Sequence, residues 1–381
     1  MKNLQKNLGK NLRFKRIMKV ATWISELPNK LTPAPFRLMQ IGSLFWQSRA
    51  LYITVKLQIA DELSFDPKST LDLAEKLSLF EPHLYRLMRF MAAIGIFKET
   101  SHRQFIHTKL SLPLTRTAKN NVCDMILMHN TAEMTLPWMD SMETSIKDGT
   151  TPFAECHGSD MFTYMDNNKG LNNLFANAMS TVESLTGLEY LHDFNWNEFS
   201  RLIDLGGSKG SKSLSILAKN PHLTSTVFDR IEVINGAKDS WRDTIAAQVL
   251  NRIDYIGGDL FSSILPVAIS DKDLYLSVAV FHLLNDEQAI SLIKLICKAM
   301  GDFNATIAIF DMVIPMTKAN LTDTSFDMQM LMGTNGGERT AMQWQYIFEQ
   351  ANVELIETVS IQSFAKGLVL KKRSICSALN K

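Results

Sequence analysis

The sequence predicts an α/β protein in two parts: a helical segment ending in a β-hairpin, then a mostly parallel sheet with helices on both faces and an antiparallel hairpin at its edge. Three observations carry that prediction. From residue 199 onward, short apolar runs of strand length alternate with helical periodicity. Leu202-Ile203-Asp204-Leu205 stops at the turn Gly206-Gly207-Ser208-Lys209-Gly210 and continues as a helix, a strand–turn–helix unit. Before residue 110, three helical patterns precede two short extended pieces, which is the order of a winged helix.

Composition narrows the function classes. The chain has 381 residues, 46% hydrophobic and 21% charged, which is ordinary for a globular protein with more than one core. A formal charge of +1 gives no global field for nucleic acid or a membrane surface. No apolar run approaches the ~18 residues needed to cross a bilayer. Cys123, Cys156, Cys297 and Cys376 lack metal-ligand or redox spacing, and the histidines lack an H-x-x-x-H pair. No metal is therefore expected, and a reducing cytoplasm is the expected compartment.

In chain order, residues 1–40 read as a solvated basic arm, with seven basic and no acidic side chains in the first 19 and a break at Pro33 and Pro35. Residues 41–119 form the winged-helix part. Leu51, Val55, Ile59 and Leu63 stripe a helix from Arg49 to Leu63; Ser69 caps a short helix with Asp72 at its third position; Pro82 opens a helix that stops at Gly95. Ile96–Glu99 and Gln104–Thr108 then make the hairpin. The third helix carries Leu84, Leu87, Met88, Phe90, Met91 and Ile94, an apolar surface on several sides with only Arg86 and Arg89 to meet a DNA backbone. Burial against a second subunit suits it better than groove reading. Residues 120–195 read as methionine- and aromatic-rich helices, a connector and lid, and residues 196–381 as the sheet domain. Its expected strands are Arg201–Leu205, Ser225–Phe228, Arg252–Ile256, Leu274–Phe281 and Thr306–Phe310, with an edge pair near Glu354–Ile361 and Gly367–Lys371. The helices between are Lys212–Lys219, Trp241–Val249, Asp286–Met300 and Met342–Gln350.

In such a sheet, ligands bind beyond the carboxyl ends of the strands. The residues found there are the glycine turn, Asp229, Gly257-Gly258-Asp259 with Leu260 and Phe261, His282 and Asp311. The turn Asp-x-Gly-Gly-Ser-x-Gly matches neither a dinucleotide fingerprint nor a phosphate loop; alone it fits a ligand cradle or a tight connection equally. Asp229, 19 residues beyond Gly210, is placed to accept from two ribose hydroxyls, and Asp259 with Phe261 suits an adenine amino group and ring face. His282 titrates near neutrality, as a general base for a hydroxyl must, and Asp311 and Glu338 can orient it if they converge.

These blocks resemble the S-adenosylmethionine-dependent O-methyltransferases of the caffeate and acetylserotonin type and their bacterial small-molecule relatives, over residues 40–371. Asp204–Gly210 resembles the family's D-x-G-G-G-x-G, Val227-Phe228-Asp229 its V-F-D, Gly257–Phe261 its G-G-D-x-F, and Gly336-Gly337-Glu338-Arg339-Thr340 its G-G-x-E-R-T region. The resemblance implies a Rossmann-like class I methyltransferase sheet behind a winged-helix dimerisation domain, and a homodimer. It implies that Asp204, Gly206, Gly207 and Gly210 hold the methionine end of S-adenosylmethionine, Asp229 the ribose, and Asp259, Leu260 and Phe261 the adenine. It further implies His282 as base with Asp311 and Glu338 flanking it, and Met179 with Phe175 against the acceptor. Five positions depart: Ser208 replaces a glycine, Leu283 and Leu284 replace Asp-Trp, Ser277 stands where a basic residue is usual, and Asp311 is one methylene shorter than the common Glu.

The expected function is methyl transfer to a hydroxyl of a small, largely apolar or aromatic molecule by in-line displacement. Neither nucleic acid nor a membrane is expected as a partner. Transfer to sulfur or nitrogen, or a non-catalytic regulator built on the winged helix, are the alternatives.

Overall fold

The computed structural model describes residues 4–186 and 188–373; Cys376 lies outside them. The chain forms two compact units. One joins the residues up to Lys19 to those from Leu188 onward, and the other is Val20–Gly187.

The second unit contains the winged-helix arrangement. Helices Leu44–Lys56, Thr70–Leu77 and Glu81–Ala93 accompany a small antiparallel sheet of β1 (Lys68–Ser69), β2 (Phe97–Ser101) and β3 (Gln104–His107), in the order β1-β3-β2. Ser69 Oγ accepts from the Asp72 N–H at 3.0 Å, the expected cap. The single helix expected over Arg49–Leu63 is instead two pieces. Gln58 takes a left-handed φ of 54°, and a short 3-10 turn, Ile59–Glu62, follows. The stripe survives the break, because Val55, Ile59 and Leu63 all remain buried. Leu84, Met88 and Met91 of the third helix fill the core. Its His83, Arg86, Leu87 and Phe90 line, with Trp46 and Ala50, an open hollow of 530 Å³. Leu38, Met39, Phe45 and Trp46 are exposed on the preceding helices.

The first unit is the large sheet. Its strands are β4 (Arg201–Leu205), β5 (Thr224–Asp229), β6 (Ile253–Gly257), β7 (Asp273–Val278), β8 (Thr306–Ile314), β9 (Arg339–Thr340), β10 (Val353–Ser360) and β11 (Ala365–Lys372). The order is β10-β11-β8-β7-β4-β5-β6, with β9 paired to the end of β8. Strands β4 to β8 are mutually parallel, and β10 and β11 form the antiparallel edge hairpin. Alternation along each strand makes two cores, one per face. Ile203, Tyr275, Ile307 and Ile309 pack with helices Asp286–Ala299 and Ala341–Gln350 on one side. Leu202, Leu274, Leu276, Ala308 and Phe310 pack with helix Ser211–Lys219 on the other.

Further expectations need correction. The N-terminal residues are not wholly a solvated arm: the largely exposed helix Leu8–Leu31 follows a strap in which Leu4 is fully buried beside Leu191, Phe194 and Trp196. Gln5 imitates a strand partner there. Its Oε1 accepts from the Ser360 N–H at 2.6 Å and its Nε2 donates to the Ser360 carbonyl at 2.9 Å. A basic tally cannot reveal one apolar anchor in a charged segment. Leu4→Ala is expected to cost about 2–5 kcal/mol of stability, measured by urea unfolding, whereas a freely solvated arm would give no change.

The helix expected over Trp241–Val249 is reduced to Ala247–Leu250, preceded by Ala237–Ser240. Ser240 and Thr244 hydroxyls bond nearby backbone carbonyls, competing with helix propagation. Strand Leu274–Phe281 ends early, at Val278, because Ala279 turns left-handed with φ 57°. His282 consequently sits on a single 3-10 turn, Phe281–Leu283.

Candidate active site

Chain order runs outward from β4 to β6 and then returns to β7 on the other side of β4, so the sheet's switch point lies between β4 and β7. The turns beyond those two strands abut. A Cβ on Gly206 (φ 72°) would fall 2.6 Å from Val280 Cγ2, and one on Gly207 would fall 2.6 Å from the Asp204 carboxylate. Only glycine permits this approach. Asp204 is buried on β4 and accepts from Ser213 Oγ at 2.7 Å, tying the strand to helix Ser211–Lys219.

Ser208 and Asp229 meet directly: the Ser208 N–H donates to Asp229 Oδ2 at 2.7 Å, while Oδ1 accepts from the Arg230 N–H at 2.7 Å. Ser208 holds a left-handed φ of 51°, a conformation its Cβ makes costly and a glycine would take freely. The Lys209 carbonyl is fixed by two groups that the sequence did not single out, Tyr255 Oη at 3.0 Å and the Trp241 indole N–H at 2.7 Å. Both are aromatic side chains with one polar tip. That chemistry suits a ring that packs under a turn and holds a carbonyl, but it leaves no motif.

Beyond β6, Asp259 Oδ1 accepts from the Phe261 N–H, the Ser262 N–H and Ser262 Oγ at 2.8–2.9 Å. These bonds lower its pKa against the opposing effect of burial, which is the larger single influence. The acid thus shapes its own loop as well as lying at the strand end. Leu260 is half-buried and Phe261 exposed. A Cβ on Gly258 would meet Phe228 Cζ at 2.5 Å.

The three acid–base candidates converge. His282 Nδ1 lies 3.0 Å from Glu338 Oε1 and 3.4 Å from Asp311 Oδ1, and the His282 backbone N–H donates to Asp311 Oδ2 at 3.2 Å. Asp311 is on β8; β9 pairs there in the register Val313↔Arg339, which brings the adjacent Glu338 alongside. Both carboxylates are buried, whereas the imidazole keeps one-fifth of its surface. Glu338 is itself placed by its N–H, which donates to Asp327 Oδ1 at 2.8 Å. Asp327 belongs to helix Leu321–Gly333, which the sequence reading passed over.

Electrostatics follow from this packing. Burial disfavours the charged imidazole, but Asp311 and then Glu338 outweigh it and hold the His282 pKa above 6.5, with Arg339 acting the other way. Burial pushes Asp311 up to about 6 against the pull of His282. With Nδ1–H shared between two acceptors, the neutral ring carries its lone pair at Nε2. The arrangement can therefore take a proton at Nε2 and stabilise the cation that results. The same three groups also offer ligand atoms within 4.8 Å of one another, a metal-compatible set that the scattered histidines and cysteines gave no reason to expect.

Phe175 and Met179 lie four residues apart on helix Lys169–Thr186 of the other unit, Phe175 half-buried and Met179 exposed. Ser277 is buried on β7. Leu283 is half-buried on the 3-10 turn and Leu284, which ends it, is buried. Cys123 is buried; Cys156 and Cys297 are half-buried, and all three are free thiols.

A Rossmann-like sheet with a glycine-lined switch point, a strand-end acid beside it and an imidazole between two carboxylates is the arrangement that the resemblance to a class I methyltransferase implies. Comparison with known proteins makes the family explicit. Residues 138–353 match the model of the O-methyltransferase domain, and residues 39–117 match that of the O-methyltransferase dimerisation domain. The chain belongs to the O-methyltransferase family, enzymes that draw their methyl group from S-adenosylmethionine.

Similar proteins include the phenazine O-methyltransferase PhzM of Lysobacter antibioticus, 26% identical over 84% of this chain and 90% of that one. Des-methyl DIF-1 methyltransferase A of Dictyostelium discoideum is 28% identical over 89% of this chain and 93% of its own. In fold, the chain matches the structure of human N-acetylserotonin methyltransferase in complex with SAM with a TM-score of 0.76 at 22% identity, covering 90% of this chain and 99% of the other. No helix among the described residues is long and apolar enough to cross a membrane.

Proposed function

We propose that this enzyme methylates a hydroxyl of a small, largely apolar or aromatic acceptor, with His282 as the general base. The observation that carries the reading is the imidazole itself: Nδ1 is held by Glu338 and Asp311, so Nε2 is the basic atom. Bound S-adenosylmethionine supplies an electrophilic methyl on a sulfonium. The residues present suit it. Gly206, Gly207 and Gly258 let the strand-end turns pack tightly against Val280, Asp204 and Phe228, Asp229 offers a carboxylate with further acceptor capacity for ribose hydroxyls, and Leu260 and Phe261 offer apolar surface for an adenine ring. Asp204 and Gly210 complete the turn at the methionine end.

His282 removes the acceptor proton at Nε2, and the imidazolium is stabilised by Glu338 through the Nδ1–H and by the Asp311 charge. Positioning supplies most of the remaining acceleration, because a held oxygen and a held methyl need no further search. Phe175 and Met179 would provide apolar contacts to the acceptor. The dimerisation domain and its exposed Leu38, Met39, Phe45 and Trp46 support a homodimer, and the free thiols fit a cytoplasmic setting.

Two measurements test the reading. Asp229→Ala is expected to weaken S-adenosylmethionine binding by ~10- to 100-fold in calorimetry, the effect of losing charge-assisted hydrogen bonds worth about 1.5–3 kcal/mol; unchanged affinity would remove Asp229 from the site. The pH profile tests the base. Turnover needs neutral His282, so it should rise with pH through a midpoint above 6.5. Glu338→Gln removes a group that raises that pKa and should move the midpoint down. A profile flat from pH 5 to 9 would contradict the assignment.

A further inference from the structure

The 3-10 turn that carries His282 has a second anchor. Arg339 is 4% exposed, and its guanidinium makes three bonds in one plane. Nη1 donates to the Phe281 carbonyl at 2.8 Å, Nη2 to the Leu284 carbonyl at 2.5 Å, and Nε to Asp286 Oδ1 at 2.8 Å. The two carbonyls belong to the residue before His282 and the residue two after it. The Phe281 carbonyl also accepts from the Leu284 N–H at 3.1 Å, closing the turn, and the guanidinium adds a side-chain donor to that carbonyl and to the Leu284 carbonyl, so one group bridges both ends of the turn. Its planar group also lies over the Trp344 ring, 5.3 Å from the centroid.

We propose that Arg339 is a positioning residue for His282, a clamp that sets where the imidazole stands relative to its two carboxylates; this rests on the reading of His282 as the base. Adjacent residues divide the work. Glu338 holds the ring from the side-chain end, and Arg339 holds the same residue from its backbone. Both are registered to β8, two residues beyond Asp311, by the pairing Val313↔Arg339 and Ile314↔Thr340. A shift of either partner therefore misaligns Nδ1 with both acids. A lysine cannot replace the fork, because one ammonium lacks the geometry to reach three acceptors spread across a plane.

The charge has a second consequence. The ring is faced by Asp311 from β8 and by Glu338 and Arg339 from the β9 segment, with Asp327 and Asp323 of helix Leu321–Gly333 behind Glu338 and Asp286 beyond Arg339. Arg339 is the cation among these, and it opposes the rise in the imidazole pKa.

The test uses the full chain and two readouts. One is the His282 titration followed by NMR with ring-labelled histidine and assigned by loss of its signal in His282→Gln. The other is turnover with S-adenosylmethionine and 1-naphthol as probe acceptor or, where naphthol is not methylated, the acceptor that gives the highest rate in a phenol panel. Arg339→Met should raise the His282 pKa and lower kcat by at least ~10-fold, with S-adenosylmethionine affinity within about twofold and partial recovery of kcat on adding methylguanidinium. Arg339→Lys should leave the pKa closer to wild type and still lose kcat. If Arg339→Met does not fold, Asp286→Asn, at a partly exposed carboxylate, removes one anchor of the guanidinium and should lower kcat in the same direction by a smaller factor.

A folded Arg339→Met with wild-type titration and kcat overturns the proposal, as does an Asp286→Asn with wild-type kcat when Arg339→Met is unfolded. The underlying reading fails separately: wild-type turnover in His282→Ala removes the base whatever Arg339 does.

Discussion

His282→Ala is expected to lower turnover by ~10²- to 10⁴-fold, the range that a positioned general base contributes, while S-adenosylmethionine affinity stays within about twofold. The separation follows from the layout of the sheet. The groups assigned to the cofactor lie beyond β4, β5 and β6, whereas His282 follows β7 and is held by residues of β8 and the β9 segment. Removing the imidazole deletes the proton acceptor and leaves the glycine turn, Asp229 and Asp259 in place. Calorimetry and steady-state turnover on one preparation check both halves. Asp311 then loses the imidazole charge that pulls its pKa down against burial, so it should titrate higher in the variant.

Gly336→Ala is expected to be the most damaging single methyl in this site. Its added Cβ would stand 2.1 Å from the His282 carbonyl oxygen, 2.5 Å from the Leu283 carbonyl carbon and 2.6 Å from the Leu284 nitrogen. All three are backbone atoms of the turn that carries His282 and cannot swing aside as a side-chain tip would. Overpacking of this kind costs about 1–3 kcal/mol, and a displacement of order 1 Å in a catalytic group costs ~10²-fold in rate. Gly337→Ala is the control. Its Cβ would meet only the side-chain oxygen Asp327 Oδ1, at 3.2 Å, which can give by a few tenths of an ångström, so stability and turnover should fall far less than in Gly336→Ala. Urea unfolding and turnover of the pair decide it: equal effects would show that the loop tolerates or rejects any side chain, and that Gly336 has no special place against the turn.

The parts of this site that were legible in the sequence are those where chemistry and periodicity coincide. Apolar runs ending in Gly206, Asp229 and Gly258 mark strand ends, because a parallel strand buried on both faces stops where polar residues begin; Asp311 breaks the same rule, since the strand expected to end at Phe310 carries the buried acid and runs on to Ile314. The convergence of Asp311 and Glu338 on His282 was expected as well, through resemblance to a family pattern rather than through spacing. What stayed hidden depends on geometry at single residues. Ala279 is a small apolar residue that would pass for strand, and only its left-handed φ reveals that the chain turns there and lifts His282 onto a 3-10 turn.

Helix Leu321–Gly333 was missed for a different reason. Methionines and phenylalanine mix with acids around it, leaving no apolar stripe to read, yet it delivers Asp327 to the Glu338 N–H. Arg339 sat inside a recognised motif without a stated task, since its three partners are two carbonyls and a carboxylate more than fifty residues away. Leu4 likewise gains its meaning only from the core it enters.

The most direct test of the account is transfer from methyl-labelled S-adenosylmethionine to a panel of small aromatic phenols, thiols and amines, with the products analysed for the labelled atom. The account predicts S-adenosylmethionine binding, label on a phenolic oxygen, and loss of that transfer in His282→Ala. Binding without transfer to any hydroxyl, or label confined to sulfur or nitrogen at a rate His282→Ala does not change, would contradict it.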